Sequence, residues 1–233
     1  MRSPKSKVVM SNIILSIFSF IVLSFSTACS TVESSSLPPV PVATPAPAAK
    51  TAPKTEQTAV FAGGCFWGIE AVFEHVKGVN SAVSGYAGGN KENAEYDKVS
   101  EGDTGHAESV KVTFDPSVVT YEQLLYVFFT VAHDPTSLNF QGPDHGTQYR
   151  SAIFYQTEDQ KKSANAFIDA LTKSKAYSGP IVTEVSQLKE FYPAEDYHQD
   201  YMKHHPDDGY IVYNDKPKVA ALKIKFPALY KEQ

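Results

Sequence analysis

The chain has 233 residues, of which 42% are hydrophobic and 20% charged, and a formal net charge of −5. This is enough for one domain with a sizeable core, or two very small ones, in an ordinary soluble protein, and the acidic balance excludes a charge-driven partner such as nucleic acid or an anionic membrane surface. Two cysteines, Cys29 and Cys65, exclude a disulfide scaffold and a Cys-rich zinc site.

Residues 1–28 read as an export segment. Arg2, Lys5 and Lys7 form a basic start, an apolar stretch follows over about residues 13–25, and Ser26, Thr27 and Ala28 supply the small residues of a cleavage site. The apolar stretch is too short and too interrupted by Ser to read as a spanning helix. Cys29, directly after Ala28, fits the acylated cysteine of a bacterial lipoprotein, although Ser26 stands where an aliphatic residue is usual. The expectation is an exported lipoprotein of the bacterial cell envelope, membrane-anchored through Cys29. A soluble periplasmic or secreted protein is the alternative. Residues 29–57, rich in Pro, Ala and Ser, cannot form a core and read as a disordered, extended spacer. A catalytic domain over 58–222 and a short tail over 223–233 complete the expected organisation.

Within the domain, residues 58–61 predict a short apolar strand. Ile69, Val72, Phe73 and Val76 then fall at the spacing of one helix face. Gly63 and Gly64 supply the reversal between the two, which puts Cys65 at or just before the first turn of the helix. Unpaired N–H groups and the helix dipole favour an anion there, so the Cys65 thiol is expected to have a depressed pKa and to react as the thiolate. A buried structural cysteine is the alternative, but it would need neither the Gly pair before it nor Trp-Gly after it. The only Trp of the chain, Trp67, is two residues from this cysteine.

A second strand is expected over 80–85 and a loop containing Tyr96 over 88–105. Over 107–114, Val110, Val112 and Phe114 alternate with Ser109, Lys111 and Thr113, so even positions face the core. Glu108 shares that parity. A carboxyl on the buried face is expensive to ionise, which raises its pKa and makes a general acid at neutral pH. Thr120 with Gln123, and Thr157 with Gln160, predict capping boxes that open two helices. Strands are expected over 149–155 and 181–188 and a helix over 193–202. From residue 206 the pattern weakens to a surface-hugging tail. The expected fold class is α+β, a two-layer α/β sandwich around a mixed sheet with a ferredoxin-like α/β plait core, long surface loops and an irregular C-terminal tail. A doubly wound parallel fold is disfavoured by the lack of a phosphate-binding glycine pattern.

A thiolate, an aromatic pair beside it and a protonated Glu suit attack on an atom made electrophilic by protonation of an attached oxygen. A sulfoxide offers such a group. Phe66 and Trp67 would wall an apolar pocket for a methyl on sulfur. A Cys–His hydrolase using His75, His106 or His145 as base is the competing enzyme class. His198, His204 and His205 provide no clean pair one turn apart and read as surface histidines rather than a metal site.

Gly64-Cys65-Phe66-Trp67-Gly68 resembles the active-site motif of the A-type peptide methionine sulfoxide reductases. The resemblance extends, in order and spacing, to Gly85-Tyr86-Ala87-Gly88-Gly89, Thr104-Gly105-His106-Ala107-Glu108, Asp144-His145-Gly146-Thr147-Gln148-Tyr149-Arg150-Ser151, and the segment from Phe191 to Gln199. It implies a thiol-dependent oxidoreductase that returns methionine S-sulfoxide, in peptides, oxidised proteins or free form, to methionine. It implies that Cys65 attacks sulfur and becomes a sulfenic acid, while Glu108 protonates the oxygen. Tyr96 and Tyr149 match tyrosines that bond that oxygen or bound water, Phe66 and Trp67 the methyl pocket, and Asp144 a substrate-contacting carboxylate. No metal or organic cofactor is implied, and a monomer is expected. Many family members carry resolving cysteines near the C-terminus. This chain has no Cys after Cys65 and resembles the single-cysteine subset, served by thioredoxin-like or other thiol reductants.

Overall fold

The computed structural model describes residues 56–233; the expected export segment, Cys29 and the stretch read as a spacer up to residue 55 lie outside the described residues. Taken in chain order, β1 (Gln57–Ala62) leads into α1 (Phe66–Glu74) and β2 (Val79–Ala87), and the one-turn α2 (Tyr96–Val99) precedes β3 (Ala107–Phe114). Next come α3 (Tyr121–Val127), a small hairpin of β4 (Phe140–Gln141) and β5 (Asp144–His145), then β6 (Ala152–Tyr155) and α4 (Glu158–Lys173). The chain closes with β7 (Glu184–Gln187), β8 (Phe191–Pro193), α5 (Tyr201–His204) and α6 (Lys216–Lys225).

The main sheet has six strands in the order β7-β6-β1-β3-β2-β8. Its middle four, β6-β1-β3-β2, are antiparallel throughout, with α1 between β1 and β2 and α3 between β3 and β6. That is the connectivity of a ferredoxin-like plait. A parallel β7 and an antiparallel β8 widen it at either edge and make the sheet mixed, as expected.

Alternation decides which face of the sheet is which. Phe61 on β1 and Val110, Val112 and Phe114 on β3 pack under Ile69, Val72 and Phe73 of α1 and Leu124 and Leu125 of α3. Phe61 stacks on Phe73 at 5.1 Å and on Phe128 at 4.9 Å, so much of the aromatic load is core. Residues of opposite parity, Val60, Ala62, Ala107 and Phe154, form a smaller cluster on the other face.

The Thr120–Gln123 capping box is complete, with both reciprocal bonds made. That at Thr157 is only half formed. Its hydroxyl accepts from Gln160 N at 3.2 Å, but the Gln160 amide turns to Gln156 N and Thr58 O and fastens α4 to β1 instead. The loop over 88–105 contains α2, so Tyr96 lies on a helical turn, and Tyr149 occupies a 3-10 turn (Thr147–Tyr149) ahead of β6 rather than a strand.

The expected helix over 193–202 is instead the end of β8, a 3-10 turn (Asp196–His198) and α5, separated by an extended Gln199 and a left-handed Asp200. Bonding explains the break: the Gln199 amide is spent on Ser84 and Ala194, and Asp200 N donates to the buried Glu70. The expected surface tail also folds otherwise. It forms a π turn (Ile211–Asp215) and α6, buries Ile211, Asp215, Leu222 and Phe226, and bridges Tyr230 to Val76. No helix among the described residues is long and apolar enough to cross a membrane.

Candidate active site

β1 ends in the core, and the chain must reverse within two residues to start α1. Gly64 has φ +100°, a region that side chains rarely adopt, so the turn depends on glycine there. Cys65 follows as the N-cap of α1 and is 8% exposed. The expected low thiol pKa is not found. Burial pushes the Cys65 thiol well above its ordinary range, the nearby carboxyls of Glu108 and Asp215 push the same way, and the Trp67 N–H and Lys218 oppose them without prevailing. A helix terminus offers a few oriented N–H groups, but removing the sulfur from water costs the anion more.

Glu108 is placed as its parity predicted. It is buried on β3 opposite Tyr86, and its Oε2 accepts a 3.1 Å hydrogen bond from the backbone N–H of Phe66, the first residue of α1. Burial raises its pKa to about 8, with the Phe66 N–H opposing and Asp144 adding to the rise. It is therefore an uncharged acid at neutral pH, electrostatically coupled to the thiol it adjoins.

Phe66 is fully buried, while Trp67 is partly open. The indole is fixed from three sides: it stacks on Tyr201 at 3.7 Å and 8°, meets Tyr210 edge-on at 5.8 Å, and donates from Nε1 to His198 Nδ1 at 3.2 Å. Tyr96 and Tyr149 are both half-buried, and both have their phenol pKa raised, by burial first and then by Glu108. They remain O–H donors. Asp144 on β5 accepts a hydrogen bond from Tyr210 O–H. Of the seven residues expected at the site, Cys65, Phe66 and Trp67 come from the start of α1, and Tyr96, Glu108, Asp144 and Tyr149 each come from a separate element.

Several participants were not foreseen. Tyr210 and Asp215 lie in the segment read as a tail. Asp215 is fully buried, paired with Lys218 at 3.0 Å, and its Oδ1 would lie 2.1 Å from a Cβ added at Gly68. That close approach explains the second glycine of the motif. Glu195 accepts from Tyr86 O–H at 2.8 Å and from Tyr96 N at 2.9 Å, which anchors α2 over the site. His198, read as a surface histidine, is buried against Phe66, Trp67 and Tyr96, whereas His204 and His205 are exposed. A sequence signal did exist for His198: it shares a segment with the family-like Tyr197-His198-Gln199.

A hydrolase arrangement is not assembled. His106 bonds Gly89 N and Asn90 O, His75 bonds Ala71 O, and His145 stacks on Phe140, so the side chains proposed as bases are engaged away from Cys65. Among the described residues no group of His, Cys, Asp and Glu is arranged to hold a metal ion.

Residues 57–229 match the family model for peptide methionine sulfoxide reductase. The chain is 62% identical over 184 residues to peptide methionine sulfoxide reductase MsrA 2 of Mesorhizobium japonicum, covering 79% of this chain and 94% of that one. It is 49% identical over 195 residues to MsrA 2 of Synechocystis, covering 84% and 91%. Among solved structures it is similar to reduced Mxr1 from Saccharomyces cerevisiae, with 34% identity, a TM-score of 0.63 and coverage of 68% of this chain and 90% of that one. Methionine sulfoxide reductase A of Corynebacterium diphtheriae is also similar, with 36% identity, a TM-score of 0.57 and coverage of 65% and 76%. By sequence and by fold, the chain belongs to the peptide methionine sulfoxide reductase family, A type.

Proposed function

We propose that Cys65 and Glu108 form the thiol–acid pair that reduces methionine S-sulfoxide, free or in oxidised proteins, and so repairs oxidative damage. The observation that carries this reading is the buried, uncharged Glu108 hydrogen-bonded to the first residue of the helix that Cys65 caps. Cys65 sulfur attacks the sulfoxide sulfur while Glu108 donates to the sulfoxide oxygen. The oxygen passes to Cys65 as a sulfenic acid and methionine leaves. The oxygen gains the proton that the thiol loses, so the step needs no net proton from solvent. A Glu108 that has given up its proton is the natural acceptor of the one leaving Cys65. Tyr96 and Tyr149 donate to the same oxygen, Phe66 and Trp67 wall the methyl pocket, and Asp144, held by Tyr210, contacts the substrate.

The chain has no cysteine after Cys65. We infer that an external thiol of thioredoxin-like kind attacks the sulfenic acid, releasing water and leaving a mixed disulfide on Cys65, and that a second thiol of the reductant then attacks this disulfide, restoring the Cys65 thiol and carrying away the disulfide. The basic, apolar and small-residue pattern of residues 1–28 followed by Cys29 supports an envelope lipoprotein.

The test is a reductant-free incubation with separated epimers of a methionine sulfoxide peptide. The S epimer should yield methionine and a Cys65 sulfenic acid that dimedone traps. Equal consumption of the R epimer, or no adduct at Cys65, would remove the basis of the reading.

A further inference from the structure

His198 is buried one turn before α5, in contact with the substrate-pocket wall, yet the chemistry above gives it no role. Its bond to Trp67 fixes its protonation. An indole N–H is a donor only, so Nδ1 must be the acceptor across the 3.2 Å contact, and the proton of the neutral ring resides on Nε2. Nε2 has no hydrogen-bond partner among the described residues. Protonating the ring would place an Nδ1–H donor against the Trp67 donor, which converts an attraction into a repulsion. Among the described residues no other hydrogen bond holds the indole N–H; Tyr201 stacks on its face and Tyr210 meets it edge-on.

We propose that His198 is a positioning residue of this site: as neutral imidazole it holds Trp67 in place as a wall of the methyl pocket, and protonation releases it. The groups around the ring set where this occurs. α1 contributes Phe66 and Trp67, α2 contributes Tyr96 at 4.5 Å, and its own turn contributes Tyr197 at 4.2 Å and the carboxylate of Glu195. Burial pulls the His198 pKa below its ordinary value, against the opposing pull of Glu195, so the neutral form prevails through the neutral range. The site is thereby tuned to bind substrate at neutral pH and to loosen in acid. This rests on the sulfoxide-reductase reading only for what the pocket binds.

The single Trp makes the device directly visible, because all indole emission of the full chain comes from Trp67. Wild-type emission should change with a single midpoint below pH 6.5, in the absence of any substrate. His198→Asn keeps an acceptor near the Nδ1 position but cannot be protonated, and should abolish the transition. His198→Leu should raise KM for a methyl sulfoxide about 3- to 10-fold at pH 7.5, the worth of one neutral hydrogen bond, with kcat within about 2-fold. His198→Asn should restore KM and leave it flat down to pH 5.5. Emission that does not respond to pH in the wild type, or a transition that persists in His198→Asn, overturns the proposal even if His198→Leu fails to fold. An unchanged KM in a folded His198→Leu also overturns it. Absence of any sulfoxide reduction by the wild type would defeat the reductase reading instead, and the emission titration would still decide the proposal.

Discussion

The backbone N–H of Phe66 lies 3.1 Å from Glu108 Oε2 and ties the first residue of α1 to the second residue of β3. The nucleophile caps the helix at one end of this link and the acid is the other end, so one hydrogen bond joins the elements that carry them. The same bond stabilises Glu108 only in part, and burial still leaves the carboxyl protonated up to about pH 8. An acid poised one unit above neutrality can both hold and release its proton during turnover.

Removing either member of the pair should therefore have unequal effects. Cys65→Ser should abolish single-turnover reduction of a methyl sulfoxide, since Cys65 is the only cysteine among the described residues. Glu108→Gln should keep the fold and lower the rate by about 10²- to 10⁴-fold, the usual worth of a positioned acid. In the wild type the rate should fall as pH rises through about 8, where Glu108 loses its proton. A wild-type rate in Glu108→Gln, or a profile that keeps rising past pH 9, would exclude Glu108 as the acid.

The same proton links the site to stability. The folded-state pKa of Glu108 lies above its unfolded value, so folding binds a proton between the two. The associated stability is complete below pH 4.5 and is lost as pH rises to about 8. Glu70, whose buried carboxyl is raised to about 8 by burial and by Glu74, acts in the same direction. Thermal melts should show the midpoint of the wild type falling from pH 5 to pH 9, and falling less in Glu108→Gln. The variant should be the more stable protein at pH 9 while remaining the slower enzyme. Parallel curves for the two proteins would contradict the linkage.

Much of this site was legible because it rests on short-range rules. Parity along β3 placed Glu108 inward, and the Gly pair before an amphipathic run placed Cys65 at a helix start. The thiol pKa was misjudged because a helix terminus is a local feature, whereas the burial of the sulfur and the carboxyls of Glu108 and Asp215 beside it are assembled from distant segments. Tyr210, Asp215 and His198 were missed for the same reason. The apolar periodicity around α6 is weak, since Lys216, Pro217, Lys223 and Lys225 face solvent and only a few residues anchor the segment inward. Residues 193–202 lack a breaker after Pro193, and the break comes from Gln199 and Glu70 bonding across the fold.

The Tyr210–Asp144 hydrogen bond gives the C-terminal segment a direct hold on Asp144, the carboxylate proposed to contact the substrate. Tyr210→Phe removes the donor and leaves the ring, so packing against Trp67 persists. Binding should weaken by about 10-fold in KM, in line with a hydrogen bond to a charged group, while the thermal midpoint changes little. Asp144→Asn should give a similar KM, and the double variant should add little to either. Additive losses would show that the two side chains act separately.

Gly68 should tolerate no side chain while Asp215 is present. A Cβ there would lie 2.1 Å from Asp215 Oδ1 and 2.8 Å from Lys218 Nζ, and Asp215 is too enclosed to swing away. Gly68→Ala is expected to cost about 1–3 kcal/mol by denaturant unfolding, the range for overpacking a tight core. Asp215→Ala relieves the clash but strands Lys218 beside Cys65, so it should lower the thiol pKa as well as stability. In the double variant the two losses should fall well short of their sum. Strict additivity would mean that Asp215 is not what Gly68 accommodates.

Turnover without an external thiol should stop after one event. Cys65 is the only cysteine among the described residues, and its sulfenic acid has no thiol in the folded domain to condense with. Mature protein incubated with excess methionine S-sulfoxide should therefore release one methionine per chain and then stall, with dimedone bound at Cys65. Adding a thioredoxin-like reductant should restore steady turnover. The remaining thiol to exclude is Cys29. If it is acylated, its sulfur is a thioether and cannot attack, so the intact mass of the membrane-fraction protein should carry the lipid and the burst should be identical in Cys29→Ser. An unmodified N-terminal Cys29, together with a Cys29–Cys65 disulfide that disappears in Cys29→Ser, would replace the external thiol by an internal one and defeat the lipoprotein reading in the same experiment.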